Sequence, residues 1–209
     1  RSIYGLNIES KKDTVFGLFG FAHQAQFFNL TLANYKISVE SDFKAGEKSF
    51  YGGSLVGRAT KSGIYNVHTR GGTVKFDAPS NYLGEVYVGG IVGSMLGNIE
   101  DCSNAGNVDV LFNDTRYVGG IVGSVYSADS LKNCSNTGNV AARVSKSSAG
   151  NAGYVGGIAG NASIPVARCV NTGTVLGQNA KAGGVTGVAS HVFLCENSGD
   201  VSSDCRAAG

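Results

Sequence analysis

Short apolar segments, each closed by glycine, recur along the chain and alternate with polar stretches of variable length. The clearest is Val88-Gly-Gly-Ile-Val-Gly93, which returns as Val118-Gly-Gly-Ile-Val-Gly123. Looser copies are Val155-Gly-Gly-Ile-Ala-Gly160 and Ala182-Gly-Gly-Val-Thr-Gly187. Upstream, Gly52-Gly-Ser-Leu-Val-Gly57 and Phe16-Gly-Leu-Phe-Gly20 keep the theme with an insertion or a deletion. A second segment comes after each copy. It reads Ile99-Glu-Asp-Cys-Ser-Asn-Ala-Gly-Asn-Val108, then Leu131-Lys-Asn-Cys-Ser-Asn-Thr-Gly-Asn-Val140. The same spacing continues in Val166-Ala-Arg-Cys-Val-Asn-Thr-Gly-Thr-Val175 and Val192-Phe-Leu-Cys-Glu-Asn-Ser-Gly-Asp-Val201. Repeats are from about 26 to 37 residues long, and the length varies only outside the two segments. Constant pieces joined by elastic ones predict stacked elements joined by surface loops.

The constant pieces are short, β-branched and bounded by glycine, so they read as strands. A helix would carry Gly-Gly in its interior at ~1 kcal/mol per glycine. Three strands per repeat are expected: one over Gly-Gly-Ile-Val, one leading into the cysteine, and one around the terminal valine. Wound about an axis, each stacks on its counterpart at ~4.8 Å. The predicted fold is therefore all-β, a β-solenoid (β-helix) of about six coils with variable surface loops. Residues 1–50 form N-terminal coil(s) or a cap, 51–201 the regular repeats, and 202–209 a C-terminal tail or a link to another region.

Alignment of the repeats gives ladders. Leu18, Leu55, Ile91, Ile121, Ile158 and Val185 are aliphatic throughout and are assigned to the core. So are Phe27, Ile64, Ile99, Leu131, Val166 and Val192, and the closing valines Val74, Val108, Val140, Val175 and Val201. Burial of one such side chain is worth roughly 1.5–3 kcal/mol. A fourth ladder runs Leu30, Val67, Cys102, Cys134, Cys169, Cys195. Aliphatics in the first two places make the cysteines small buried hydrophobes with free thiols. Bridges Cys102–Cys134 or Cys169–Cys195 fit the ~4.4–6.8 Å Cα window but not the parallel side-chain direction. A linear row supplies no tetrahedral zinc site. Asn104, Asn136, Asn171 and Asn197 are expected to bond the backbone of a corner, with Gly106, Gly138, Gly173 and Gly199 at its positive-φ position. Asn34 is assigned to that left-handed place in the first repeat. Phe50, Tyr87, Tyr117 and Tyr154 precede the glycines as an aromatic row. It either packs on them or offers a ligand contact through Tyr87, Tyr117 and Tyr154.

Composition supports this picture. Of 209 residues, 32 are glycine and only 2 proline, and 15% are charged. The glycines do not follow collagen's period of three, and 42% apolar content argues against disorder. A formal charge of +2 with scattered basic residues excludes a nucleic-acid surface. No apolar run reaches the ~20 residues of a membrane-spanning helix.

The paired segments resemble the GLUG motif, named for its Gly-Leu-x-Gly core, from about Phe16 to Val201. The resemblance implies a β-solenoid segment of a bacterial-type cell-surface adhesin or secreted peptidase, outside its catalytic region. It carries no catalytic residues. The sequence has no His-Glu-x-x-His around His23, His68 or His191. Asp77, Glu85, Arg116 and Arg143 are loop candidates for acid–base work on polysaccharide. The expected protein is not an enzyme and takes no cofactor or metal. It is expected to be an extracellular or cell-surface structural and adhesive segment, contacting a host or matrix protein or glycan through loops 77–86, 109–117 and 141–154. The alternative is a polysaccharide-binding or polysaccharide-cleaving β-helix. Aromatics in residues 1–39 suit a cap or a junction. The last strand, with only 202–209 after it, is expected to be covered by more of the chain or by another subunit.

Overall fold

A computed structural model describes residues 1–11, 13–40, 49–78, 84–112, 115–126, 130–144 and 153–204. All regular structure among them is β, in two sheets whose neighbouring strands run parallel. Loop residues Asn113 and 145–148, and the odd cysteine Cys205, lie outside this set.

The architecture is β-helix-like. One sheet contains the strands before each glycine block: Val15–Phe16, Phe50–Gly52, Val86–Gly89, Arg116–Gly119, Gly153–Gly156 and Ala180–Gly183. The other winds round the rest of each turn. It includes the long Gln26–Glu40 and Val56–Asp77 strands, then shorter pieces such as Val92–Glu100 and Ala159–Ala167. The sequence predicts Gly-Gly-Ile-Val as one strand, but the structure divides it. Val86–Gly89 ends in one sheet, Gly90-Ile91 is the corner, and Val92 begins the other. The corner is tight: a Cβ on Gly89 would lie 2.7 Å from the Ile121 carbonyl oxygen of the next coil.

The ladders are in register. Phe27 pairs with Ile64, Ile64 with Ile99, Ile99 with Leu131, Leu131 with Val166, and Val166 with Val192. The closing valines pair Val74–Val108–Val140–Val175–Val201 and continue backwards through Ile37 to Ile8. This column thus starts one rung before the Phe27 and Leu18 ladders, because Ser2–Tyr4 and Asn7–Ser10 lie on Gln26–Glu40 as a partial turn. In the first ladder, the Leu55, Ile91, Ile121 and Ile158 amides each donate to the next member's carbonyl. Coils of unequal length stay in register through local shifts at Thr60/Ser62 and at Ala162/Pro165. Proline has no N–H for a ladder bond, so the second shift suits it.

The filling changes along the axis. In the N-terminal half, Phe76 packs against Phe16, Phe50 and Phe112, with ring centroids 6.1, 4.6 and 6.3 Å away. Towards the C-terminus no aromatic is among the described buried side chains, and Ala142, Ala162 and Ala180 are buried beside Val155, Ile158, Val166 and Val175. Between these zones Arg116 points inward, in the column of Phe50, Val86, Gly153 and Ala180. It is fully buried, and its guanidinium donates to the carbonyls of Phe112 (3.0 Å), Gln178 and Asn179 (3.3 Å). Gly153 makes room for it, since a Cβ there would overlap the Arg116 side chain. The expectation of a loop arginine is therefore corrected: strand alternation at this position faces the core.

Ile121 is fully buried in the middle of the first ladder. Ile121→Asp places an unpaired charge there, at a cost of several kcal/mol. Thermal unfolding should show loss of the middle coils, whereas Asp200→Asn at an exposed position should change stability by less than about 0.5 kcal/mol. Equal melting curves would refute the ladder.

Candidate functional site

Two side-chain rows have regular geometry: the asparagines, which hold the corners together, and the tyrosines, half-buried at Tyr51, Tyr117 and Tyr154 and buried at Tyr87.

Asn104 Nδ2 donates to Asn136 Oδ1, Asn136 to Asn171, and Asn171 to Asn197, each at 2.8 Å. Each Nδ2 also donates to the carbonyl of the glycine two residues on, at 2.7–2.8 Å. The first three asparagines are buried, so these bonds replace those lost to water. The glycines serve a purpose other than the one expected. Gly106, Gly138, Gly173 and Gly199 do not have positive φ. They are small because coils touch there: a Cβ on Gly138 would overlap Gly106, one on Gly173 would overlap Gly138, and one on Gly199 would overlap Gly173. Positive φ falls instead on the residue before the cysteine position: Asn29 (54°), Asn66 (52°), Asp101 (55°), Asn133 (54°), Arg168 (51°) and Leu194 (54°). Asn34 is left-handed as expected, at φ 53°.

The second glycine of each block faces the asparagines. A Cβ on Gly90, Gly120, Gly157 or Gly184 would run into the carboxamide of Asn104, Asn136, Asn171 or Asn197. Counting back from Gly57, whose neighbour Val56 pairs with Val92, the equivalent of Gly90 is Ser54. In that coil the place of the asparagine is taken by Thr69, paired with Asn104. The shorter threonine leaves space for the serine side chain, which donates to the Gly90 carbonyl at 2.5 Å. Gly–Asn and Ser–Thr are alternative fillings of one space. Thr69 and the Tyr35 hydroxyl (3.4 Å) both donate to Asn104 Oδ1, closing the N-terminal end of the row. Burial raises the pKa of the Tyr35 phenol, which favours the protonated donor.

Gly120→Ala overpacks this contact and should cost about 1–3 kcal/mol. Asn136→Leu leaves the Asn104 donor and the Asn171 acceptor unmatched, about 1–3 kcal/mol for each buried group. Denaturant titration measures both. Asn136→Leu with unchanged stability would remove the row from the forces holding the coils.

The aromatic row also differs from the expectation. Phe50 pairs with Val86 and is fully buried, while Tyr51 pairs with Tyr87. The observed row is Tyr51, Tyr87, Tyr117, Tyr154. Successive centroids are 5.0, 5.0 and 5.6 Å apart, and the rings lie within 15° of parallel. Arg58 lies over Tyr51 (5.0 Å) at one end and Lys181 over Tyr154 (5.3 Å) at the other. The inner faces are taken by neighbouring rings and the outer two by cations, so a ligand here meets ring edges and hydroxyls. The Tyr87 hydroxyl donates to Glu85 Oε2 at 2.6 Å. Burial, then this bond to Glu85, holds the Tyr87 phenol protonated far above its ordinary range; burial also raises the pKa of Tyr117.

The acid–base candidates are not brought together. Asp77 pairs with Lys75 (2.6 Å), Glu85 accepts from Tyr87, Arg143 makes a two-pronged pair with Asp109, and Arg116 is buried. A relay not anticipated from sequence joins Ser103 Oγ to His68 Nδ1 (2.8 Å) and His68 Nε2 to Asn66 Oδ1 (2.7 Å). It lies along the stacked column in which Ser103 pairs with His68 and Ser135. A hydrolytic serine needs N–H groups aimed at a developing oxyanion. The Ser135 amide of this column is committed to the Cys102 carbonyl, and Ala105's to that of Thr69. An open depression of about 300 Å³ is lined by Glu9, Ser10, Lys11, Lys36, Ser38 and Glu40, with Lys36 bonded to Glu9 at 2.7 Å. No group of described residues forms a metal site, and no described helix is long and apolar enough to cross a membrane.

The family model of the GLUG motif matches residues 84–109 and again 114–141. The chain carries the GLUG repeat. Its geometry continues past the matched residues. The Asn row and the valine column run on to Asn197 and Val201, and the same strand register extends back to Gln26–Glu40. No curated protein and no solved structure matches the chain.

The cysteines of the row are free thiols. Cys102, Cys134 and Cys169 are buried and Cys195 is partly exposed. Each lies 3.1–3.4 Å from the carbonyl two residues before it and 3.7–4.0 Å from a carbonyl of the preceding coil, so the thiols bond both within and between coils. Burial raises the pKa of Cys134 strongly and of Cys195 less. A raised pKa leaves less thiolate at a given pH. Cys195 should therefore react with a disulfide reagent at pH 8 more slowly than a free thiol, while Cys102, Cys134 and Cys169, kept from the reagent by burial, should react only on unfolding. Mass mapping of the labelled peptides checks this; early labelling of Cys134 would contradict the burial.

Proposed function

We propose that this chain is a β-solenoid of about six coils that works as a structural and adhesive segment of a larger extracellular or cell-surface protein. The observation that carries this reading is the in-register stack from Ser2 to Ser203, whose interior is filled by ladders. At ~4.8 Å per coil such a stack gives a stiff spacer roughly 30 Å long. Contact with a host or matrix protein or glycan is assigned to the loops between coils and to the edge of the tyrosine row at Tyr87, Tyr117 and Tyr154. The rival reading, a β-helix that binds or cleaves polysaccharide, draws on the same row of hydroxyls beside Glu85.

The test is a screen of the purified chain against glycans and matrix proteins. Expected are capture of at least one member, a fall of tenfold or more with Tyr117→Ala and Tyr154→Ala together, and no turnover. Release of new reducing ends, abolished by Glu85→Gln, would reverse the choice.

A further inference from the structure

One group of side chains lies outside both the core and the tyrosine row: a line of hydrogen bonds that crosses three coils on the outer face. Phe28 pairs with Tyr65 and Leu30 with Val67, which sets Asn29 against Asn66. His68 follows Asn66 by two residues and pairs with Ser103 of the next coil. The bonds run in one direction. Asn66 Nδ2 donates to Asn29 Oδ1 at 2.6 Å, which leaves Asn66 Oδ1 as the acceptor for His68 Nε2–H at 2.7 Å. A neutral imidazole carries one N–H, so Nδ1 is the bare nitrogen, and the Ser103 hydroxyl donates to it at 2.8 Å. His68 and Ser103 are both partly exposed. A serine bonded to a base whose far nitrogen is held by a third group has the arrangement of an activated nucleophile. His23 Nδ1 also lies 2.8 Å from a hydroxyl, that of Thr60, but among the described residues nothing bonds its Nε2.

We propose that Ser103 is a covalent acylation site for acyl donors with a good leaving group, the class of aryl esters and thioesters. The proposal goes beyond the structural and adhesive reading and does not depend on it. Ser103 Oγ forms a bond to the acyl carbon and passes its proton to His68 Nδ1, while the leaving group departs with the electron pair of its bond. The imidazolium, held by Asn66 Oδ1, then gives that proton to the departing group or to water. His68 is the general base, and Asn66 acts through it as a positioning residue. The reaction stops at the ester. The Ser135 and Ala105 amides are committed to the Cys102 and Thr69 carbonyls, so neither N–H is available to an oxyanion. An activated donor tolerates that loss because its leaving group departs readily. The serine alkoxide that water would have to expel from the ester does not.

Incubation of the full chain with p-nitrophenyl acetate tests this, read by nitrophenolate release and by mass mapping of the acetylated peptides. Expected is a burst that ends at one acetyl group per chain, on Ser103, with Ser135 and Thr60 unlabelled. Its rate should rise with pH as the imidazole loses its proton. His68→Ala should slow acetylation of Ser103 at least ~100-fold, the lower end of general-base catalysis. Asn66→Asp keeps an acceptor oxygen and by its charge favours the imidazolium, so it should move the rise in rate to higher pH. An Asn66 with a structural role alone would leave the profile in place. Ser103→Ala removes only an outward hydroxyl, so its melting curve should match the parent's while the burst disappears. The proposal is overturned by acetyl groups spread over lysines without enrichment at Ser103, or by an unchanged rate in His68→Ala. Turnover that continues past one equivalent would also overturn it, by making the column a hydrolase.

Discussion

Everything in this molecule depends on parallel, in-register stacking at the ~4.8 Å spacing of neighbouring strands. That spacing leaves no room for a side chain wherever one coil's corner lies flat on the next. Gly106, Gly138, Gly173 and Gly199 satisfy the constraint along one edge, and Gly90, Gly120, Gly157 and Gly184 along another. The second edge also faces the carboxamides of Asn104, Asn136, Asn171 and Asn197. A glycine block and an asparagine corner many residues apart are thus two halves of one contact. Their joint recurrence follows from geometry, and the Ser54–Thr69 pair shows the same space filled by a different combination.

Stacking of identical groups also decides what the surface offers. Tyrosines repeated at coil spacing stack on one another, so a row that looks in sequence like a set of open platforms becomes a closed pile with Arg58 and Lys181 on its ends. Charged positions pair within a coil or with the next, as in Lys75–Asp77, Glu100–Lys132 and Asp109–Arg143. Exposed pairs of this type contribute little stability each, about 0–1 kcal/mol. They do neutralise the sheet face, as where Lys75 lies beside Asp77 and Glu40, two carboxylates that face each other in register. The stability of the stack rests on the aliphatic ladders and the asparagine bonds.

Arg116 is the exception to an apolar interior. A buried guanidinium is costly unless its donors are met. Here carbonyls from its own strand's approach and from residues 178–179 accept from its two terminal nitrogens, across the space left by Gly153. It marks where the filling changes from the Phe16–Phe50–Phe76–Phe112 cluster to the small side chains of the C-terminal coils.

The sequence by itself determined the all-β repeat, the three aliphatic ladders except for Ile37 and Ile8 at the start of the valine column, and the Asn and Cys rows. Each of these is a matter of spacing within a repeat, and spacing is written in the chain. It did not decide the partners of single residues one step off the pattern. Phe50 and Tyr51 are adjacent, and alternation sends one inward and the other outward; only the pairing of Tyr51 with Tyr87 says which. Counting back from Gly57 rather than forward from Gly52 would have recovered it. Arg116 reads as a loop residue because arginine is rarely buried, and the carbonyls that make burial tolerable lie some sixty residues away. The His68–Ser103 contact was hidden for the same reason, since it joins successive coils. The role of the corner glycines was likewise decided between coils. Their conformation is ordinary, and what excludes a side chain is the backbone of the next turn, which no local pattern reveals.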